Sequence, residues 1–121
     1  MLPVALVGFG WWGRTIASRL KENSLFELVC VVEPNADAHD DIIKMGLKPV
    51  LDFDEAVQME NVQALILTSP NDLHDSQIAR CVAEGKHVFC EKPLSLTFDG
   101  ARDSVQACEK AGLVLGIGHE R

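Results

Sequence analysis

The chain has 121 residues, 47% of them hydrophobic, and a formal net charge of −7. Its length suits one domain, and its acidic balance argues against nucleic acid and anionic membranes as partners, because both bind clustered lysine and arginine. No apolar run approaches the ~20 residues that cross a bilayer, and the amino terminus lacks a basic segment with a cleavage site. These features predict a cytoplasmic protein without a membrane partner.

Short apolar runs alternate with helical patterns along the whole chain. The runs predict strands near residues 3–8, 27–33, 62–68, 86–91 and 113–118, with a weaker strand near 49–51. Their centres, such as Val4-Ala5-Leu6-Val7, are continuously apolar, which is typical of strands that helices cover on both faces of a parallel sheet. The alternation predicts an α/β fold, a Rossmann-type doubly wound parallel sheet with strand order 3-2-1-4-5-6, over residues 1–121.

The helical segments carry apolar stripes and residues suited to helix ends. The stripes are Trp12, Ile16 and Leu20 on the first helix, Ile78 and Val82 on a later one, and Phe98, Ala101, Val105 and Cys108 on the last. Asn71 and Thr97 are predicted to cap helix starts. Three glycines follow helical patterns, as glycines do just beyond helix ends: Gly46, Gly85 and Gly112.

The first strand runs into a glycine-rich turn. In the dinucleotide-binding form of such a turn, Gly8 allows a tight reversal, Gly10 lets the backbone approach a pyrophosphate, and Gly13 lets the helix pack closely on the sheet. The helix beginning near Trp11 presents free N–H groups and a positive dipole end to the phosphates. Trp12 begins an apolar stripe and is expected in the core. The predicted cofactor-binding turn is Gly8, Phe9, Gly10, Trp11, Trp12 and Gly13, the alternative being a merely tight turn.

An acidic residue, Glu33, closes the second apolar run, twenty positions after Gly13. At this place a carboxylate accepts hydrogen bonds from the adenosine ribose hydroxyls. It would repel the 2′-phosphate of NADP by about 4 kcal/mol per charge pair at an effective dielectric near 20. No arginine follows in Pro34-Asn35-Ala36-Asp37. We therefore predict NAD, with NADP disfavoured; the other interpretation is an acid solvated at a strand end.

The four cysteines give no metal or redox motif. None forms a Cys-x-x-Cys pair, and each falls within an apolar strand or helix pattern: Cys30, Cys81, Cys90 and Cys108. They are predicted to be buried reduced thiols of a cytosolic protein, with no metal site.

The histidines outside the motifs carry less information. His39 lies in a polar helix and is expected to be exposed, and His87 is expected to be a core or rim residue of a strand. His119, at the end of the last strand, could touch substrate or belong to a frayed end.

Two segments are expected at the carboxyl edge of the sheet, where ligands of such folds bind. They are Thr68-Ser69-Pro70-Asn71 after the fourth strand and Glu91-Lys92-Pro93 after the fifth. From their chemistry alone, Glu91 and Lys92 could be a functional pair or an ordinary solvated one.

At this point the chain resembles the amino-terminal domain of the Gfo/Idh/MocA oxidoreductases, the glucose–fructose oxidoreductase and inositol dehydrogenase group. The resemblance rests on the segments 8–13, 68–74 and above all Glu84–Pro93, which contains Gly-Lys-His-Val-x-x-Glu-Lys-Pro, and it covers essentially the whole chain. It implies a nicotinamide-dependent dehydrogenase of a sugar or polyol. By resemblance, Glu91 contacts the nicotinamide ribose, and Lys92 is the catalytic residue that orients the substrate hydroxyl and relays its proton. The cofactor site is further lined by Ser69, Asn71 and His74.

Enzymes of this family have a second, sheet-rich domain that supplies the substrate pocket, an acid/base group and usually the oligomer interface. The resemblance therefore implies that residues 1–121 are only the cofactor-binding domain of a homo-oligomeric enzyme, able to bind NAD but inactive alone. The alternative is a non-catalytic NAD- or CoA-binding regulatory module. A methyltransferase is disfavoured, because Val7 stands before Gly8 where an acid would be expected.

Overall fold

A computed structural model describes residues 1–91 and 97–118 of the chain. The described elements, in order, are β1 (Leu2–Val7), α1 (Trp11–Lys21), β2 (Phe26–Val32), α2 (His39–Lys44), β3 (Pro49–Val50), α3 (Phe53–Val57), β4 (Ala64–Leu67), α4 (His74–Ala83), β5 (His87–Glu91), α5 (Phe98–Ala111) and β6 (Leu115–Gly118). Short 3-10 turns, Ala36–Ala38 and Asn71–Leu73, precede α2 and α4.

The strands form one parallel sheet in the order β3-β2-β1-β4-β5-β6. This order confirms the predicted Rossmann-type fold, and the strands lie within two residues or so of their predicted bounds. Val7 pairs with Val32 on one side and Leu67 on the other, and Leu67 pairs with Cys90. The carboxyl ends of β1, β2, β4 and β5 are therefore level at one edge of the sheet.

The continuous apolar runs are explained by a core on each face of the sheet. Val4 and Leu6 pack towards α1 and α2, whereas Ala5 and Val7 pack towards α3, α4 and α5. All four side chains are at most 3% exposed. Burying one such aliphatic side chain contributes about 1.5–3 kcal/mol. In a strand with alternating apolar and polar residues, only half of the side chains would make this contribution.

One part of the sheet is left open on the α1 face. Between α1 and the strands β5 and β6 runs an apolar groove of about 650 Å³, into which Trp12, Ile16 and Phe89 project. Phe89 is 38% exposed in this groove, although parallel sheets are normally covered on both faces. The predicted stripe of α1 is thus only partly core: Leu20 is buried, and the other two side chains are half-buried.

One prediction about a helix end falls on an undescribed side chain, and one about a helix face is wrong in part. The 3-10 turn Asn71–Leu73 precedes α4, whose N-cap residue is Leu73, and the side chain of Asn71, predicted to cap a helix start, lies outside the described residues. On the predicted stripe of α5, Cys108 is buried and Ala101 packs against the core, but Phe98 and Val105 are exposed. Phe98 is the first residue of the helix, and the described residues leave its side chain uncovered.

The other helix-end predictions are confirmed. Thr97 Oγ1 accepts a 2.9 Å hydrogen bond from the Gly100 N–H, which caps α5. Gly46, Gly85 and Gly112 all have left-handed backbone conformations after helices. Among the described residues, no helix combines the length and the apolar character that crossing a membrane requires.

Candidate cofactor-binding site

The turn between β1 and α1 uses its three glycines in different ways. Gly8 has φ +101°, and a Cβ there would lie 2.8 Å from Thr68 Oγ1. A Cβ on Gly13 would overlap the carbonyl oxygen of Gly8. A Cβ on Gly10 would meet none of the described atoms within 4 Å. Gly8 and Gly13 therefore serve the packing of the turn, whereas Gly10 leaves open space on its outer side.

The amino end of α1 is free to receive an anion. Gly10 is the N-cap residue and has no side chain to accept from the helix, and the first turn of α1 contains no acidic residue. The unpaired N–H groups and the positive end of the helix dipole therefore face the space beside Gly10. This arrangement suits a phosphate group.

Thr68, which directly follows β4, holds the glycine turn by hydrogen bonds. Its hydroxyl lies 2.8 Å from the carbonyl oxygen of Val7 and 3.1 Å from that of Gly8, and donates to them. Sequence reasoning did not single out Thr68 for this role. The available signal was its position, as the first polar residue after a continuous apolar strand next to β1.

Glu33 is bonded directly to the glycine turn. Its Oε1 accepts a 2.9 Å hydrogen bond from the Phe9 N–H, and its Oε2 accepts one of 2.9 Å from the Asn35 N–H. The half-buried carboxylate is therefore held in place at the edge of the sheet, rather than freely solvated. The Phe9 ring is buried in the core, so this residue serves the site through its backbone.

Two residues near Glu33 depart from sequence expectation. His39, expected to be exposed, is half-buried, and its Nε2 lies 2.8 Å from the Glu33 carbonyl oxygen. The sequence reasoning missed Arg14, whose guanidinium lies 4.6 Å from the centre of the Phe9 ring and pairs with Asp41 at 3.1 Å. Both contacts depend on α2 packing beside the turn, which no local pattern reveals.

The loop after β4 is held by buried polar side chains. Ser69 Oγ donates to Gln77 Oε1 at 2.5 Å. His74 is fully buried, with Nε2 3.1 Å from the Ser69 carbonyl oxygen and Nδ1 3.2 Å from Cys90 Sγ. The buried imidazole thus contacts the main chain of the loop from the protein interior. His87, as predicted, is a satisfied rim residue, and its Nδ1 accepts from the Val114 N–H at 3.0 Å.

The nicotinamide side of the predicted site is described in part. Glu91 ends β5, is half-buried and lies at the groove that Trp12 also lines. Trp11 is 75% exposed and stacks on Trp12 with ring centres 5.8 Å apart. The Trp12 Nε1 is buried and has no partner among the residues that the structure describes. Lys92 and His119 lie outside the described residues, as does the side chain of Asn71.

The cysteines behave as predicted in the fold. All four are free and buried. Burial raises the pKa of the Cys30 thiol to about 11 and that of Cys81 to about 12. In the part of the chain that is described, no group of three or more His, Cys, Asp or Glu residues could hold a metal ion.

The level carboxyl ends of β1, β2, β4 and β5 bring together an open helix end, the carboxylate of Glu33 and a second acid, Glu91. This is the site of a dinucleotide-binding Rossmann domain. Residues 2–119 match the Gfo/Idh/MocA family, described as the "Oxidoreductase family, NAD-binding Rossmann fold". The chain belongs to this family and has its dinucleotide-binding Rossmann fold.

Similar proteins agree with this assignment. The inositol 2-dehydrogenase of Burkholderia vietnamiensis is 35% identical over 111 residues, which are 88% of this chain and 33% of that protein. The structure of GenD2 from gentamicin A biosynthesis, in complex with NAD, is 30% identical with a TM-score of 0.91, over 97% of this chain and 34% of that one. A structure described as a putative NADPH-dependent oxidoreductase of Desulfitobacterium hafniense is 28% identical, with a TM-score of 0.89, over 98% of this chain and 34% of that one. The chain spans about a third of the length of the relatives it matches.

Proposed function

We propose that this chain is the cofactor-binding part of a longer NAD-dependent oxidoreductase that transfers a hydride between nicotinamide and a sugar or polyol. The observation that carries the proposal is the pair of hydrogen bonds from the Phe9 and Asn35 N–H groups to Glu33, beside the open amino end of α1. The printed names of relatives, inositol 2-dehydrogenase among them, support the substrate class.

The described residues fit the cofactor as follows. The N–H groups of the first turn of α1 would bind the pyrophosphate, in the space that Gly10 leaves open. Glu33 would accept the adenosine ribose hydroxyls, and Glu91 would contact the nicotinamide ribose. When bound, NAD supplies the acceptor or donor of the hydride.

We infer NAD rather than NADP from Glu33. Solved relatives differ in cofactor, since one is a complex with NAD and another is described as NADPH-dependent. In this chain the carboxylate is held by two backbone N–H groups and so cannot turn away from a 2′-phosphate without losing them. Its negative charge therefore favours the unphosphorylated cofactor.

The binding proposal can be tested with Gly10→Ala. The Gly10 backbone (φ −77°, ψ −164°) is open to alanine, and no described atom lies within 4 Å of the new methyl. We expect the variant to fold with an unchanged Tm but to bind NADH at least ~10-fold more weakly, because the methyl would lie where the pyrophosphate approaches. Energy transfer from Trp11 and Trp12 to bound NADH provides the measurement. Equal affinity of Gly10→Ala and wild type would show that no dinucleotide lies against this turn.

For the chemical step, we propose Lys92 as the residue that holds or releases the proton of the substrate hydroxyl. In the complete enzyme, Lys92→Ala should lower kcat by about 10²- to 10⁴-fold and leave the affinity for NAD nearly unchanged. Lys110→Ala, at an exposed position late in α5, is the matched control. If Lys92→Ala retained full turnover, the proton role would be wrong, and if neither protein had dehydrogenase activity, a regulatory NAD- or CoA-binding module would be favoured.

We propose that the rest of the longer protein forms the substrate domain and covers the groove with a helix that follows β6. The relatives are about three times as long as this chain, and the groove exposes Phe89, which a folded parallel sheet should bury. We infer further that this protein is cytoplasmic and homo-oligomeric.

Sedimentation and dye binding test what covers the groove. If the 121-residue chain is a monomer that binds a hydrophobic dye, and the longer protein does not bind the dye, a helix after β6 covers the groove. A stable dimer of the short chain that excludes the dye would instead make the groove a contact between copies.

A further inference from the structure

Cys90 and His74 form a buried pair that the proposed chemistry does not use. Cys90 lies in β5, directly before Glu91, and His74 is the first residue of α4. Both residues are 0% exposed, and Cys90 Sγ lies 3.2 Å from His74 Nδ1. The other imidazole nitrogen lies 3.1 Å from the Ser69 carbonyl oxygen. The imidazole therefore joins the end of β5 to the loop after β4.

The Ser69 carbonyl determines which nitrogen of the neutral ring carries the hydrogen. A carbonyl oxygen can only accept, so His74 Nε2 must be the N–H donor. Nδ1 is then an acceptor, and the group facing it, the Cys90 thiol, must donate. In the opposite tautomer, Nε2 and the carbonyl oxygen would be two acceptors in contact.

The thiol is suited to this donor role. Burial raises the pKa of Cys90 to about 12, with Glu91 and Asp75 adding to the effect, so the S–H group persists at neutral pH. The carbonyl oxygen of Glu91 is a second acceptor for it at 3.4 Å, a longer contact than the one to Nδ1. A thiolate, by contrast, could not donate to Nδ1.

The two segments joined in this way are those expected at the nicotinamide end of the cofactor. Ser69 follows Thr68, whose hydroxyl bonds the glycine turn, and Glu91 follows Cys90. We propose that Cys90 is a positioning residue: its S–H donates to Nδ1 of the Nε2–H tautomer that the Ser69 carbonyl selects, and the pair sets the Ser69-Pro70-Asn71 loop relative to Glu91. The effect on cofactor binding rests on the proposed function; the tautomer and the loop position do not.

The test compares Cys90→Ala, Cys90→Ser and, as a matched control, Cys81→Ala in the chain labelled with ¹⁵N. Cys81 is a buried thiol of α4 in the same core, so its truncation leaves a comparable cavity. The His74 ring shifts report the tautomer, the loop amide shifts report the position of residues 68–74, and titration with NADH reports affinity. Thermal unfolding is measured for each variant.

We expect the Nε2–H tautomer, with Nδ1 hydrogen-bonded, in wild type, Cys90→Ser and Cys81→Ala. Cys90→Ala should keep this tautomer but leave Nδ1 without a donor, which changes the Nδ1 shift and the loop amide shifts. It should bind NADH about 3- to 10-fold more weakly, as the loss of one hydrogen bond implies. The serine hydroxyl should restore all three properties.

Three results would overturn the proposal in different parts. An unchanged His74 Nδ1 shift in Cys90→Ala would remove the donor role of the thiol. Equal effects of Cys81→Ala on the loop and on affinity would reduce the pair to ordinary packing. Changed Nδ1 and loop shifts with unchanged NADH affinity would refute the link to the nicotinamide end. If wild type bound no dinucleotide at all, the proposed function would fail, while the tautomer spectra would still decide the role of Cys90.

Discussion

Replacing Glu33 with glutamine removes one negative charge from the proposed ribose site and keeps the size of the side chain. In the structure both carboxylate oxygens accept backbone hydrogen bonds, from Phe9 and from Asn35, each 2.9 Å long. Hydrogen bonds to a charged group contribute about 1.5–3 kcal/mol each, so the wild-type carboxylate cannot move away from a 2′-phosphate without a comparable loss. Glutamine can still accept from Phe9, but its amide NH₂ would face the Asn35 N–H.

The magnitude follows from the charge that is lost. Two unit charges ~4 Å apart at an effective dielectric of ~20 repel by about 4 kcal/mol, which corresponds to nearly 1,000-fold in affinity. Glu33 is half-buried, and solvent screening lowers this limit. We therefore expect Glu33→Gln to shift the ratio of NADPH to NADH affinity by ~10- to 100-fold towards NADPH, while NADH itself binds more weakly.

The assay is a titration of wild type and Glu33→Gln with NADH and with NADPH. Binding is measured by energy transfer from the tryptophans of the turn to the reduced nicotinamide. Glu109→Gln, at an exposed position on α5 on the opposite face of the sheet, removes the same charge from the chain and should leave the ratio unchanged. The reasoning would be refuted if the ratio in Glu33→Gln stayed at the wild-type value, or if Glu109→Gln shifted it equally.

Three further predictions concern stability. Gly13→Ala places a methyl on the Gly8 carbonyl oxygen, so we expect a loss of about 1–3 kcal/mol in urea unfolding, in contrast to Gly10→Ala; a variant as stable as wild type would show that the helix packs less closely than described. Lys86 Nζ donates to the carbonyl oxygens of Met59 and Val62 at 2.7 and 2.5 Å in a buried position. Lys86→Met should cost about 1–3 kcal/mol, because the Val62 oxygen loses this donor and the Met59 oxygen keeps only the Val62 N–H; thermal unfolding would reveal or disprove the loss. Burial raises the pKa of Cys30 to about 11 and of Cys81 to about 12 from a usual value near 9.0, so on raising the pH the unfolded chain loses these protons first. The stabilisation should therefore be fully present below pH 9 and fall between pH 9 and 12. Urea midpoints that stayed constant up to about pH 11 would contradict this prediction.

Much of the fold follows from patterns that neighbouring residues carry. Continuous apolar runs such as Val4–Val7 identify buried parallel strands, because both faces of each strand must be apolar. The glycines of the first turn and the acid at the end of β2 are separated by one strand–helix–strand unit, so their spacing along the chain translates directly into proximity at the sheet edge. The order of the strands followed from crossover handedness, and the structure confirms it.

Contacts between residues far apart in the sequence could not be predicted from these local patterns. The exposure of Phe98, the contact of His39 with Glu33, and the burial of Lys86 against two carbonyls depend on how helices and loops pack across the sheet. The same holds for Cys90, which reads as a plain core residue in sequence and lies against His74 only because β5 and α4 are packed together.

The sequence by itself predicted the kind of ligand, since the proposed contacts to phosphate and ribose lie in a short turn and in one acid whose positions local chain geometry sets. The tertiary structure decided how those groups are held and which surface is left uncovered. The physical reason is that hydrogen bonds and burial between residues far apart in the chain exist only once the sheet has brought them to the same place.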